Sequence, residues 1–491
     1  MNWRVPFNVT RRKFLQTGIS GAAAYGLAHR ATAVSAADGS GPYRISRGSP
    51  QIFVDLERVE KLENVRQLFH QAQKHANNPV LRGERPWEAA GYGFVHSVIY
   101  DEDDKLFKCW YQGVIGCQAG PVHSYGPHVL CYATSTDGIH WERPNLGLHE
   151  FEGSRDNNIV IPATYHNGKD HWESVLKDPF GEDDDARYKG FGWSSLTGGL
   201  HTMTSPDGLH WKHSQGIVVP GGDAQAMMID PLRQRYVLFV RGGHPTGVHH
   251  SSDYVHWSPR DNDALRWDGP GSCYNQVGFA YGDTYLGILS YYQTHNEHLI
   301  DARLLTSRDG LHYKLAGPDA LTRPALVPLG EIGDWDRLQT RLSGAPPVAV
   351  GDQLYIFYRG FSTSHNKQNR PRDQYFAGAM GMATLRRDGF ASLAAGFDGG
   401  RVTTRPIVFE EGALRINAKA RFHANVTVEV LDEREQPIRG YSAADCAPCR
   451  EDSVDQLVTW KDNSDLNRLA GRPVKLRFDL VNARLYSYRV V

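Results

Sequence analysis

The chain has 491 residues, with 54 Lys and Arg against 55 Asp and Glu, 40% apolar residues and 11% aromatics. The charge balance excludes electrostatic capture of nucleic acid, which needs a concentrated basic face. The apolar content excludes a disordered chain, and the six cysteines are too few to staple one of this length through disulfides.

The N-terminus reads as an address. Thr10-Arg11-Arg12-Lys13-Phe14-Leu15-Gln16 has the form of a twin-arginine export signal. A weakly apolar stretch to about Leu27 follows, then small-residue cleavage sites at Ala31-Thr32-Ala33 and Val34-Ser35-Ala36. His29 and Arg30 interrupt the stretch, which falls short of the ~20 apolar residues of a membrane span. Residues 1–36 are thus expected to be removed, leaving a periplasmic or secreted protein.

Tyr43–Asp55 is expected to complete the last unit of a closed ring, and Leu56–Asn77 to form a short helix. Beyond them one phrase recurs. Ser135-Thr-Asp137-Gly-Ile-His140-Trp141 is followed by Ser205-Pro-Asp207-Gly-Leu-His210-Trp211, Ser251-Ser-Asp253-Tyr-Val-His256-Trp257 and Ser307-Arg-Asp309-Gly-Leu-His312-Tyr313. Arg386-Arg387-Asp388-Gly389-Phe390 is a worn fifth copy. Asp-Gly between apolar strands marks a hairpin, because Gly accepts positive φ and Asp bonds its own turn. An aromatic-rich strand precedes each copy, as in Leu106–Tyr111, Tyr188–Trp193 and Leu354–Arg359, and a further strand lies upstream of that. Five such four-stranded units predict an all-β chain with a five-bladed β-propeller over 43–399. From 400 to 491 the phrase is lost and period-two alternation continues, as in Val426-Thr-Val-Glu-Val, which predicts a β-sandwich that braces the ring. Cys446-Ala-Pro-Cys449 has redox spacing without a βαβ context, and no Cys/His set has zinc spacing.

A propeller with Ser-x-Asp-Gly-x-His-Trp turns ahead of a β-sandwich resembles the glycoside hydrolase superfamily that contains families 32 and 43, over roughly residues 43–491. Phe53-Val54-Asp55, Pro86-Trp87-Glu88 and Asp156-Asn-Asn-Ile-Val160 are similar to phrases of its secreted bacterial members. The resemblance implies cleavage of glycosidic bonds by axis-facing carboxylates, a carbohydrate substrate and no cofactor, with room for a structural calcium on the axis. The family 32 phrase Trp-Met-Asn-Asp-Pro-Asn-Gly is absent, and Arg-Asp-Pro is approached only by Lys177-Asp178-Pro179. A non-catalytic glycan-binding propeller and a glycan lyase or phosphorylase are the alternatives.

Register locates candidates independently. His171-Trp-Glu173-Ser-Val-Leu-Lys-Asp178-Pro179 aligns with Asp223-Ala-Gln225-Ala-Met-Met-Ile-Asp230-Pro231, which matches Asp178 to Asp230 as turn residues at the far ends of their strands. The funnel ends then carry Glu173 as general acid, Asp223 as base or nucleophile, and Glu88 as a hydroxyl-binding or charge-stabilising carboxylate. Trp172 beside Glu173 would raise its pKa by desolvation. Substrate-binding candidates are Asp55, Trp87, His96, His171, Gln225, Arg241, Asn275, Asp334, Trp335, Asp336 and Arg341. Blade four offers Gln276 beside Asn275, and Arg241, Arg341 and Arg359 suit either an acidic or sulfated sugar group or a buried carboxylate between blades. No metal ligand is expected.

The export reading predicts that Arg11→Lys with Arg12→Lys leaves the precursor in the cytoplasm. Fractionation of cells expressing the double variant checks it, and normal export would refute it.

Overall fold

Four hydrogen-bonded strands and a tight turn recur five times, because each aromatic-rich run finds apolar neighbours on both faces. The computed structural model describes residues 41–88, 94–115, 126–181, 183–222, 225–241, 246–265, 267, 269–365, 378–461 and 463–491, with the side chains of 94–96 and 421–422 outside that set. No α-helix occurs among the described residues, and no helix there is long and apolar enough to cross a membrane.

Blade one comprises Phe94–Asp101, Leu106–Val114, His128–Ser135 and Ile159–Ile161. Blade two comprises Asp170–Lys177, Tyr188–Ser194, Gly199–Ser205 and Lys212–His213. Blade three comprises Ala226–Asp230, Arg235–Val240, Thr246–Ser251 and Asp261–Leu265. Blade four comprises Ser272–Tyr281, Thr284–Gln293, Leu299–Ser307 and Tyr313–Leu315. In blade five the inner strand is split into Gln339–Leu342 and Val348–Val350, and Gln353–Phe361 and Gly378–Arg386 follow. Pro346 and Pro347 lie in the split, where neither can donate to the ladder.

The ring is closed by an N-terminal segment, but not the expected one. Gln73–Lys74 and Leu81–Arg82 pair with Gly378–Arg386 as the outer edge of blade five. Tyr43–Arg44 pairs instead with Ile407–Val408, and Gln51–Ile52 with the final strand Lys475–Val490. Nor is Leu56–Asn77 helical. Val59–Glu63 and Arg66–Phe69 pair with Gly400–Thr404 and Ala391–Ala394, whose open edges outbid a weak helical pattern. Strand pairing therefore crosses the expected boundary at residue 399 in both directions. The C-terminal unit is one hydrogen-bonded network of eight strands, with register shifts at Asn417/Ala418 and Ala420/Asn425 in its longest strand. Its two long strands, Leu414–Leu431 and Lys475–Val490, pair almost throughout and bury Val426, Val428, Val430, Leu476, Phe478 and Leu480 in one core.

The turns are built as the repeat implies. Asp207 Oδ1 accepts from Leu209 N (2.8 Å) and His210 N (2.9 Å), and Oδ2 lies 2.7 Å from His210 Nδ1. The same pattern holds at Asp137, Asp253 and Asp309. Gly208 has φ +79°, and a Cβ there would sit 2.5 Å from Trp110 of blade one, so the turn packs directly on its neighbour. Tyr254 fills that left-handed position in blade three at φ +66°, a strained choice offset by its hydroxyl, which donates to Gly190 O of blade two at 2.6 Å. Asp388 departs from the set. It has φ +60° itself, one residue early, and its carboxylate accepts from Tyr281 (2.7 Å) and Ser487 (2.6 Å).

At the end of the ring opposite the strand starts, carboxylates latch successive blades. Asp101 accepts from Lys108, Lys177 and the Tyr188 hydroxyl. Asp178 accepts from the Tyr236 hydroxyl (2.6 Å), and Asp230 from Arg235 (2.9 Å) and the Tyr285 hydroxyl (2.7 Å). In each case the tyrosine belongs to the next blade. Asp178 is therefore a structural carboxylate, as its register implied.

Burial opposes ionisation of Asp207, yet the backbone and ring of His210, the Leu209 N–H and the Ser205 hydroxyl hold its carboxyl at about 2, below the ordinary 3.8. Asp309 is likewise held at about 2. A depressed folded-state pKa adds stability above the unfolded value that is lost as pH falls through the folded one. Urea midpoints should therefore fall as pH drops from about 4 toward about 2, and the fall should be shallower in Asp207→Asn. An equal slope in the variant would refute this role for the turn.

Candidate functional site

The inner strands of four blades are joined through two serine hydroxyls. Ser97 Oγ accepts from Val175 N of blade two at 2.8 Å. Ser174 Oγ accepts from Met227 N of blade three at 3.3 Å and donates to Gly344 O of blade five at 3.0 Å. Backbone joined this closely leaves no open tunnel at that level, so the funnel has a floor.

The residue before each serine position lies on the funnel side. Counting back four residues from the pairs Tyr100↔Phe107, Lys177↔Tyr188, Ile229↔Tyr236 and Ala280↔Tyr285 gives His96, Glu173, Gln225 and Gln276. A register shift at Trp172/Ser174 makes Glu173 a bulge residue, a device that re-aims a side chain. Glu173 is 6% exposed, Gln225 2% and Gln276 1%. Both amide atoms of Gln225, both of Gln276 and Oδ1 of Asn275 have no hydrogen-bond partner among the described residues. An unsatisfied buried polar atom costs about 1–3 kcal/mol, so five of them at one level of two adjacent inner strands are a costly feature of the ring.

Cations and aromatics stand above the floor. Tyr274, two residues before Gln276, lies under two guanidinium groups, Arg341 at 4.4 Å and Arg241 at 4.7 Å from the ring centroid. His365 packs edge-on to Tyr274 at 4.8 Å, and its Nδ1 lies 2.9 Å from Arg341 Nη2. On the blade one and two side, His171 meets His128 at 4.5 Å. Burial lowers His171 to about 4, and burial with the neighbouring His171 lowers His128 to about 3, so both rings are neutral near pH 7. Asp170, at the head of the blade two inner strand, is raised by burial against the bonds from Ser194 and His166.

The structure thus brings together Glu173, His171, Gln225, Arg241, Asn275 and Arg341 at the funnel end. Asp223 and the side chain of His96 lie outside the described residues. The remaining candidates serve elsewhere. Glu88 is 0% exposed and fully engaged by Tyr111, Arg143 (2.7 Å) and the N–H groups of Glu84 (2.7 Å) and Arg85 (3.0 Å). It is the anion of a sealed structural pair, because a loop rich in backbone donors folds over it. Trp87 donates to Asn158 Oδ1 at 2.8 Å and packs edge-on to Phe151, so its ring faces no opening. Asp55 holds Arg308 and the Thr306 hydroxyl (3.1 Å) on the flank of blade four. Asp334 caps its own turn at Glu331 N (2.8 Å), and Trp335 stacks on Tyr358. Asp336 accepts from Tyr358 (2.8 Å) and pairs with Lys74 (2.6 Å), which clamps the closing strand to blade five. Tyr274, His365, Gln339 and His128 were not among the expected residues. Tyr274 sits next to Asn275-Gln276 in the same strand, so aligning one position further back would have reached it.

Among the described residues no group of three or more His, Cys, Asp or Glu is placed to hold a metal ion.

No protein-family model matches the chain, and no curated protein does. Among solved structures the chain is similar to a glycosyl hydrolase from Bacteroides ovatus, with 14% identity and a TM-score of 0.44, covering 65% of this chain and 94% of that one. It is similar to an N-acetylgalactosamine deacetylase from F. plautii in complex with blood group B trisaccharide, with 14% identity and a TM-score of 0.43, covering 66% and 96%. A third is a β-1,2-mannobiose phosphorylase from Listeria innocua, with 11% identity and a TM-score of 0.41, covering 65% and 97%. These neighbours process glycans by different chemistries. At identities and TM-scores this low, the fold is read from the chain's own strand pairing.

The orphan amides predict a trade between stability and binding. Gln276→Met, close in volume, removes two unsatisfied atoms and should stabilise the fold by about 1 kcal/mol while weakening any hydroxyl-rich ligand. Thermal melting with and without ligand checks it, and a destabilised variant would show that the amide is satisfied in solution.

Proposed function

We propose that the axial funnel is the active site of an exported glycoside hydrolase, with Glu173 as the proton-transferring carboxylate. The observation that carries the reading is the floor itself: a buried carboxylate in register with two amides and beside a third, whose spare donors and acceptors suit sugar hydroxyls. Glycosidic cleavage needs an acid on the leaving oxygen and a second carboxylate, some 5–10 Å away, as nucleophile or as base for water. Asp223, two residues before Gln225, is the partner we assign. Gln225, Gln276 and Asn275 would orient the sugar ring, and the neutral His171–His128 pair would line the wall.

Tyr274 between two arginines, with His365 beside it, favours a second reading. A uronate lyase uses arginine to neutralise the sugar carboxylate and a Tyr or His base to abstract the adjacent proton. Elimination leaves an unsaturated, ultraviolet-absorbing product, whereas hydrolysis incorporates an oxygen atom from isotopically labelled water.

On a confirmed substrate Glu173→Gln should fold normally and lose about 10²–10⁴-fold in turnover, because an amide cannot donate the proton. Aryl glycosides with good leaving groups should be partly spared. Asp223→Asn should fail on both substrate types, since the attacking group still needs activation. Near wild-type turnover in both variants would overturn the assignment.

A further inference from the structure

We infer that the funnel carries an oxyanion subsite centred on Arg341, and that the sugar it recognises is acidic, bearing a uronate carboxylate or a sulfate ester. This rests on the glycan-active reading of the same funnel and names its substrate class.

Arg341 lies on the inner strand of blade five, three residues before the Gly344 carbonyl that anchors the floor. It is 4% exposed, yet no carboxylate pairs with it among the described residues. Its Nη2 donates to Gln339 Oε1 and meets His365 Nδ1, and its Nε has no partner among the described residues. Directly opposite it in antiparallel register is Arg359, 7% exposed. Arg241 adds a third guanidinium on the far blade, over the same Tyr274 ring.

The polar neighbours of Arg341 add no negative charge. Gln339 spends its amide N–H on Thr363 O at 2.6 Å and offers Arg341 only a neutral oxygen. A guanidinium has donors alone, so His365 Nδ1 must accept from it, which leaves the ring proton on Nε2 as one more donor. A neutral sugar needs no such field. A carboxylate or sulfate supplies the missing charge and takes bidentate bonds from guanidinium.

Isothermal titration of the mature chain tests this. The probes are oligogalacturonate and chondroitin-sulfate tetrasaccharides, galactan and mannan oligosaccharides as neutral counterparts, and inorganic phosphate alone. At least one acidic oligosaccharide should bind about tenfold more tightly than the neutral ones, with an advantage that shrinks as salt rises. Arg341→Gln should abolish the advantage, and Arg341→Lys should keep part of it. Both variants should melt at or above the wild-type temperature, because a buried unpaired charge has been removed or made more adaptable. Equal binding of neutral and acidic sugars, with cleavage of the neutral ones, overturns the inference and leaves the hydrolase reading intact. If no sugar of either kind binds, both fall. Phosphate alone binding as tightly as the acidic sugars, and lost in Arg341→Gln, overturns a substrate-borne anion in favour of a free one. A marked fall in melting temperature for Arg341→Gln overturns it too, since the charge would then be structurally satisfied.

Discussion

The Ser174 hydroxyl is the point on which the ring depends. It accepts a hydrogen bond from the backbone N–H of Met227 in blade three and donates one to the Gly344 carbonyl of blade five. Each such bond contributes only about 1 kcal/mol net. Their effect is positional. Blade three, next to blade two, and blade five, across the ring from it, are drawn to one oxygen atom, which fixes the level of the residue before the serine. Ser97 does the same for blades one and two. A larger side chain at 174 would force the inner strands apart, and a smaller one would leave a carbonyl and an N–H unsatisfied on the axis.

Below that junction the blades are latched by acid and tyrosine. The latch passes from Asp101 to Tyr188, from Asp178 to Tyr236 and from Asp230 to Tyr285, then stops, because blade four ends its inner strand in Tyr281 where blades one to three have Asp. The break is mended from outside. Tyr281 donates to Asp388 in the turn after blade five, and Ser487 of the C-terminal strand donates to the same carboxylate. Arg386 and Arg387 in that turn bond Asn417, Asp452 and the Ala418 carbonyl. The C-terminal sheet is thus the brace that completes the weakest joint, and the worn fifth repeat is worn because its aspartate was recruited for that joint.

What could be read in the sequence follows the range of the interactions. Asp137, Asp207, Asp253 and Asp309 bond only residues within three positions of themselves, so their phrase carries its own structure. Glu173, Gln225 and Asn275 followed from strand register, which the repeat transmits from blade to blade. Glu88 and Trp87 misled because their partners, Arg143 and Asn158, lie 55 and 71 residues away and leave no local sign. The segment 56–77 misled for the same reason: its strands exist only because edges far along the chain are open to them. Arg341 was visible as a residue but not as a problem, since the arginine facing it belongs to another strand.

The formal net charge of −1 conceals a division along the ring axis. At the latch end the turns hold Asp101, Asp103 and Asp104 in blade one and Asp183, Asp184 and Asp185 in blade two. At the funnel end stand Arg241 and Arg341 over a single tyrosine, with Arg359 opposite Arg341 in the strand pair. The latch acids are neutralised locally by Lys108 and Lys177, whereas Arg341 is set among neutral groups. Clefts with low-dielectric walls focus such charge, raising the local concentration of an opposite ligand. Uniform patterning would have stabilised the ring better, with the latch chemistry repeated at both ends. The chain repeats it at one end only, and at the other it accepts buried amide atoms with no partner among the described residues and a buried guanidinium that pairs with no carboxylate among them.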